Sequence, residues 1–317
     1  MRILLASGSV RIKLLSDGLK KSGIGVSLVT TEILFARKED SFIEGVKSRR
    51  EFLTLSLNEI LVSERPDVAV FDSQIPLSVD KISPPKSTLC ILLNFDEPFY
   101  KREFSLYSKV CTGFLSPSKS AIKEAESEWF RSSTAFYPPA LPEAFHNETK
   151  RVVQQDVLIT GKYNYQKERL LSGLRAAKIN SVVCGGGWHR ASSLSAYLRR
   201  KIRKKADTPY DVLELIKGSR LVLYIPFSET GLSEEIFDSA AAGIPIAMPS
   251  FDDAFDEFDK DSLCFIDDGS DTVERIRTLL DFNLRLLDIS SRLSKMAQER
   301  FTPEARAKQF LEVLNRL

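Results

Sequence analysis

The sequence predicts an α/β chain of two doubly wound parallel-sheet domains that face a cleft, closed by a C-terminal helix. Three observations predict it. Short runs rich in leucine and β-branched residues alternate with longer amphipathic runs, the pattern of a parallel sheet covered by helices. That alternation occurs twice along the chain. Between the two series lies YPPALPEAFHNETKR (137–151), whose three prolines and polar tail break both periodicities and read as a linker. A chain of 317 residues, 43% of them hydrophobic, suits two domains of this kind. The expected bodies are 1–148, 149–300 and a last helix over 301–317.

In the first half, strands are expected at RILLA (2–6), VSLVT (26–30), DVAVF (67–71), TLCILLN (88–94) and VCTGFLS (110–116). Helices fill 11–22 and 49–63. The second stops at Arg65-Pro66, because proline offers no N–H and disfavours a helical residue before it. In the second half the strands are DVLIT (156–160), SVVCG (181–185), RLVLYI (220–225), IPIAM (244–248) and SLCFI (262–266). Helices are expected over 166–177, 210–218, 233–242 and 271–281. The closing segment FTPEARAKQFLEVLNRL offers Thr302 as N-cap and Pro303 as first helical residue. Ala307, Phe310, Leu311, Leu314 and Leu317 then share one face at helical spacing.

Composition bounds the function. Lys plus Arg (45) against Asp plus Glu (43) leaves a net charge of +2, which by itself points to neither nucleic acid nor membrane. The cysteines Cys90, Cys111, Cys184 and Cys264 lie far apart in apolar runs, without disulfide or zinc spacing. No segment reads as a secretion signal or a membrane span, so a soluble protein in the reducing cytoplasm is expected. With two histidines, His146 and His189, a metal cluster has little support.

Open sheets bind ligands beyond the carboxyl ends of their strands, which makes the post-strand residues the ones to read. These include Ser7-Gly8-Ser9, Asp72-Ser73, Asp96-Glu97-Pro98, Gly161-Lys162, the run from Gly185 to Arg190, and 227–231. Glycine recurs where a backbone must turn tightly or let a ligand approach. The stretch GLSEEIFDSAAAGIPIAMPS (231–250) sets Glu234, Glu235 and Asp238 near one side of a short helix. One account is local: Ser233 caps the helix, and the two glutamates are first-turn acids favoured by its dipole. The basic run RRKIRKK, Arg199 to Lys205, reads either as a solvated helix face or as a patch for an anionic acceptor such as DNA or a phosphate-containing polymer.

The ordered set ITGKYNYQKERLL, VVCGGGWHR, YDVLELIKGSRLVLYI and GLSEEIFDSAAAGIP resembles the C-terminal domain of GT-B glycosyltransferases, in particular the spore-maturation-protein-like glycosyltransferases. The first half resembles them more loosely, through ERPDVAVFDS, LLNFDEPFY and YPPALPEAFH. The layout is also similar to that of phage DNA glucosyltransferases. The resemblance implies two Rossmann-like domains, with a nucleoside-diphosphate sugar bound by the second and an unidentified acceptor by the first. It implies no bound metal and no tightly held cofactor.

By that resemblance Asp238 takes the place of the acidic residue that bonds the ribose hydroxyls, and the alternative is a plain solvated helix residue. Several relatives carry an arginine for the diphosphate where this chain has Glu235. Lys162, Arg169 and Arg190 are then the candidate phosphate cations, aided by backbone N–H groups around Thr230, Gly231 and Leu232. Gly161, Gly186 and Gly187 form the close-approach loops, and Trp188 and His189 beside them either pack or bond the base. Asp96 is the expected general base, with Glu97 as substitute, the alternative being that Asp96 caps a turn before Pro98. Ser7, Gly8 and Ser9 form the acceptor-side loop. Two other readings remain: a module that binds a sugar nucleotide or partner without turnover, kept open by Glu235, and a sugar-nucleotide epimerase.

Overall fold

The computed structural model describes residues 1–36, 48–95, 101–146, 152–191, 203–204, 206–226, 231–266 and 271–317. Two compact units result: Met1–Pro139 with Pro303–Leu317, and Ala140–Thr302.

The first unit is built on six parallel strands, β1 (Arg2–Ala6), β2 (Gly25–Val29), β3 (Val68–Asp72), β4 (Leu89–Leu93), β5 (Gly113–Ser116) and β6 (Ser132–Ala135), in the order β2-β1-β3-β4-β5-β6. Alternate residues of each strand feed opposite cores, since side chains in a strand alternate between faces. Leu4, Ala69, Phe71 and Leu92 pack under the helices α2 (Thr31–Ala36), α3 (Arg49–Glu64), α4 (Lys101–Tyr107) and α5 (Lys119–Glu128). Ile3, Leu5, Val70 and Ile91 face the other side, covered by α1 (Val10–Lys21) and the C-terminal helix α12 (Pro303–Leu314). The helices start and stop where local chemistry allows. Ser9 caps α1 by accepting from Arg11 N–H, Ser48 caps α3 by accepting from Glu51 N–H, and Arg65 closes α3 in the left-handed region at φ 45° ahead of Pro66.

Helix α12 returns to this unit through a small-residue contact. Gly18 of α1 lies so close to the Pro303 carbonyl that a Cβ there would stand 2.2 Å from its oxygen. Ala307, Phe310, Val313 and Leu314 then enter the core, with the Phe310 ring edge-on to Phe136 at 5.3 Å between centroids.

The second unit repeats the plan with β7 (Gln155–Ile159), β8 (Ser181–Cys184), β9 (Arg203–Lys204), β10 (Ser219–Leu223), β11 (Ile246–Met248) and β12 (Cys264–Phe265), all parallel, in the order β12-β11-β10-β7-β8-β9. Its helices are α6 (Tyr165–Ala176), α7 (Pro209–Lys217), α8 (Glu234–Ala241), α9 (Asp252–Glu257), α10 (Thr272–Asp281) and α11 (Asn283–Arg300). Asn164 caps α6, and Thr208 with Asp211 forms a capping box on α7, with Pro209 in its first turn.

Every strand read from the sequence is present, within one to three residues at each end. The boundary between the units, Pro139–Ala140, falls inside the stretch read as the linker, and that stretch is packed: Tyr137, Ala140, Leu141 and Ala144 are buried, and Ala140 N–H donates to the Phe301 carbonyl at 2.9 Å. Its prolines removed the periodicity without removing the apolar side chains that pack. The basic run is no helix face where it is described, because Arg203 and Lys204 form the edge strand β9, paired in register with Val183 and Cys184. The rest of that run lies outside the described residues.

Candidate functional site

Strand order locates the crevices. In the second unit the chain runs from β7 outward through β8 to β9, then returns to the far side of β7 as β10, so the order reverses between β7 and β10. Ligands of open sheets bind at the carboxyl ends of the strands at such a reversal. The loops there are Thr160–Asn164 after β7, Gly185–Trp188 after β8, and the start of α8. The first unit has its reversal between β1 and β3, which places Ser7-Gly8-Ser9 and Asp72-Ser73 at the carboxyl ends.

In the second unit the two glycine loops are locked together. Tyr163 N–H donates to the Gly186 carbonyl at 2.8 Å, and Trp188 Nε1 donates to the Gly161 carbonyl at 3.2 Å. The Tyr163 and Trp188 rings meet edge to face at 5.6 Å. Gly161, Gly185 and Gly187 take φ of +87°, +120° and +82°, a region that L side chains rarely adopt. Trp188 is thus a buried buttress of the loop, at 2% exposure, and not an open platform for a base.

Gly185 has no spare room. A Cβ there would meet the Gly161 carbonyl oxygen at 2.4 Å and its carbon at 2.6 Å, whereas Gly186 has nothing within 4 Å. We expect Gly185→Ala to cost about 2–4 kcal/mol from overpacking and positive φ together, seen as a lowered Tm in thermal denaturation. Gly186→Ala serves as the near-neutral control, and equal melting of the two variants would refute this account.

Lys167, which sequence reasoning passed over, is the buried cation of this crevice. At 2% exposure its Nζ donates to the carbonyls of Thr160 at 2.9 Å and Lys162 at 3.1 Å. Helical side chains lean toward the helix N-terminus, so a lysine in the first turn of α6 reaches back to the end of β7. Its spacing behind the Asn164 cap was the signal that could have found it. Arg169 stands two residues further, about 200° around the helix, and is exposed, as are Lys162, His189 and Arg190. Glu168 is buried and accepts from the Tyr163 hydroxyl at 2.5 Å, a bond that raises the Tyr163 pKa.

The start of α8 completes the crevice. Tyr224, after β10, donates through its hydroxyl to the Gly231 carbonyl at 2.9 Å and pins the turn, with Gly231 at φ +88° and Leu232 buried. Ser233 occupies the N-cap position, yet its hydroxyl makes no cap bond, which corrects the expected capping role. Its Oγ and Thr160 Oγ1 are both out of water and without a partner among the described residues. A buried polar atom left without a partner costs free energy, and water or a ligand is one way to satisfy it. Burial pushes the Cys184 thiol up to about 12, with Glu235 adding and Lys167 opposing, so both charges act on the end of β8.

Asp238 is not a solvated helix residue. It is 1% exposed, and its Oδ1 accepts from Leu141 N–H at 2.8 Å, tying α8 to the 140–146 segment. Glu234 and Glu235 are half-buried.

At the carboxyl ends in the first unit, the Ser7 hydroxyl donates to Asp72 Oδ2, and Ser7 Oγ in turn accepts from Ser9 N–H at 2.8 Å. Ser73 donates to Asn94 Oδ1 at 2.6 Å. Gly8 has open space around it. Asp96, Glu97 and Thr230 lie outside the described residues.

Residues 164–312 match a family model described as glycosyl transferase-like. Comparison with curated proteins gives no match. Among solved structures, the chain is similar over its full length to AviGT4, a glycosyltransferase involved in avilamycin A biosynthesis, at 13% identity and a TM-score of 0.65, covering 98% of that chain. It is similar to HepE from Anabaena, solved in complex with UDP and glucose, at 12% identity and a TM-score of 0.66 with full coverage of both chains. A glycosyltransferase from Rickettsia africae aligns at 11% identity and a TM-score of 0.68, covering 98% of this chain and 97% of that one. The fold is therefore GT-B.

Proposed function

We propose that this chain is a glycosyltransferase that takes a sugar from a nucleoside-diphosphate donor held by the second unit and passes it to an acceptor hydroxyl. The observation that carries this reading is the crevice at the β7–β10 reversal. There a buried lysine, a helix N-terminus and two unpartnered buried hydroxyls converge in the segment that matches the glycosyl transferase-like family model. The complex of HepE with UDP and glucose supports the donor class.

In this reading Lys167 supplies the positive charge for the diphosphate, in place of Arg169, and the first N–H groups of α8 donate to the phosphate oxygens. Thr160 and Ser233 hydroxyls complete the polar cradle. Protein cations and a helix dipole then stabilise the leaving diphosphate without a divalent metal. Glu235 is a first-turn acid of α8, near the phosphates but not bonded to them. Asp96 is the base that takes the acceptor proton, and Ser7-Gly8-Ser9 borders the acceptor. The ordered motifs favour the spore-maturation-protein-like branch and a cytoplasmic setting. The general layout shared with phage DNA glucosyltransferases, together with the basic run around β9, leaves an anionic acceptor within the reading.

By the resemblance, Asp238 is the residue assigned to the ribose. Because Asp238 also anchors the 140–146 segment, alanine is a poor probe: it would leave a buried N–H unpaired at about 1–3 kcal/mol. Asparagine keeps an acceptor for Leu141 and removes the charge. We expect Asp238→Asn to weaken nucleoside diphosphate binding by about 1.5–3 kcal/mol, the scale of a hydrogen bond to a charged group, with little change in Tm. Titration calorimetry of the parent against a panel of nucleoside diphosphates comes first. A folded parent that binds none of them overturns the transferase reading, and unchanged affinity in Asp238→Asn removes the ribose role alone.

A further inference from the structure

Glu235 is the acid of the donor crevice to which the chemistry above gives no task. It is the second residue of α8 and half-buried. Glu234 beside it already interacts within the chain, and Asp238, one turn further on, gives a carboxylate oxygen to Leu141 N–H at 2.8 Å. Glu235, by contrast, makes no hydrogen bond or ion pair among the described residues.

Sheet order says where its carboxylate lies. Helix α8 follows β10, and β7 stands between β10 and β8. The Glu235 charge nevertheless reaches the Cys184 thiol at the end of β8. The side chain therefore leans from α8 over the carboxyl end of β7 and into the crevice, the direction a residue in the first turn of a helix favours. A separate observation points to a polar ligand in that place. Thr160, at the end of β7, is 1% exposed, and its Oγ1 is out of water without a partner among the described residues.

An anion beside a bound diphosphate repels it, so Glu235 is of use only to the part of the donor beyond the phosphates. There a carboxylate accepts charge-assisted hydrogen bonds from neighbouring hydroxyls. The same charge turns away a ligand that brings a carboxylate of its own, which is selection by repulsion.

We propose that Glu235 selects the donor sugar, accepting hydrogen bonds from the hydroxyls of a neutral hexose and excluding hexuronic acids. This rests on the transferase reading and names the donor class within it.

The test is calorimetric titration of the full chain with UDP, UDP-glucose and UDP-glucuronate, and with GDP, GDP-mannose and GDP-mannuronate. The parent is compared with Glu235→Gln and Glu235→Ala, each checked for an unchanged Tm. The parent should bind the neutral sugar nucleotide about tenfold or more tightly than the matching hexuronate, and Glu235→Gln should bring the two within about threefold. Glu235→Ala should lose about tenfold in affinity for the neutral sugar nucleotide, while the bare diphosphate is held as tightly as before or more tightly. An acid that only steadies the helix start predicts that diphosphate and both sugar nucleotides shift together. Equal affinity of the parent for hexose and hexuronate, or an unchanged preference in Glu235→Gln, overturns the inference and leaves the transferase reading standing. A parent that binds none of the diphosphates overturns that reading and the inference with it.

Discussion

We expect Asp96→Asn to lower turnover by about two to four orders of magnitude, the contribution of a positioned general base, with donor affinity within a few-fold of the parent. Asparagine keeps the shape and loses the proton acceptor, so the acceptor oxygen must attack the anomeric carbon without shedding its proton to the protein. The residue follows β4, a central strand of the first sheet whose next positions, Asn94 and Phe95, are buried. Steady-state rates with the nucleotide sugar picked out by titration check it. Near-normal turnover would refute the assignment and turn attention to Glu97 or to a retaining mechanism.

We expect Lys167→Met to weaken nucleoside diphosphate binding by about 1.5–3 kcal/mol, or roughly ten- to 150-fold. Methionine approximates the length and apolar stem of lysine while removing the charge. Since Lys167 Nζ also holds the carbonyls of Thr160 and Lys162, some loosening of that loop is expected as well. The two effects separate by comparing the diphosphate with the matching nucleoside. A phosphate cation predicts that the diphosphate loses its advantage over the nucleoside, whereas a purely structural lysine predicts equal loss for both. The second outcome would leave the phosphate site without its cation.

The doubly wound plan was readable because strands buried on both faces leave a plain trace. VAVF and ILL are continuous apolar runs, and their residues feed the two opposite cores of the first unit in turn. Strands without that trace escaped notice. Ser132–Ala135 is short, polar and half-buried at an edge, and Arg203–Lys204 is a two-residue edge strand inside a run of charge. The glycine loops were legible because positive φ selects glycine. Which cation is buried among them was not, because Lys162, Lys167 and Arg169 are equally charged in sequence: Lys162 lies in the loop before α6, and helix phase alone separates buried Lys167 from exposed Arg169. Asp238 illustrates the same limit, since its bond to Leu141 spans 97 residues and no local pattern announces it.

The route of the chain through α12 also bears on how the protein is made. The first unit consists of Met1–Pro139 and Pro303–Leu317, with Ala140–Thr302 inserted between them. At about 5–20 residues per second of synthesis, the last helix emerges roughly ten to thirty seconds after β6. Until then the face formed by Ile3, Leu5, Val70 and Ile91 lacks the side chains of Ala307, Phe310, Val313 and Leu314 that cover it in the finished molecule. The inserted unit, continuous in sequence, can complete its own core in that interval. On the ribosome the domain begun first is thus finished last, and its uncovered sheet face is the surface that a nascent-chain chaperone would meet.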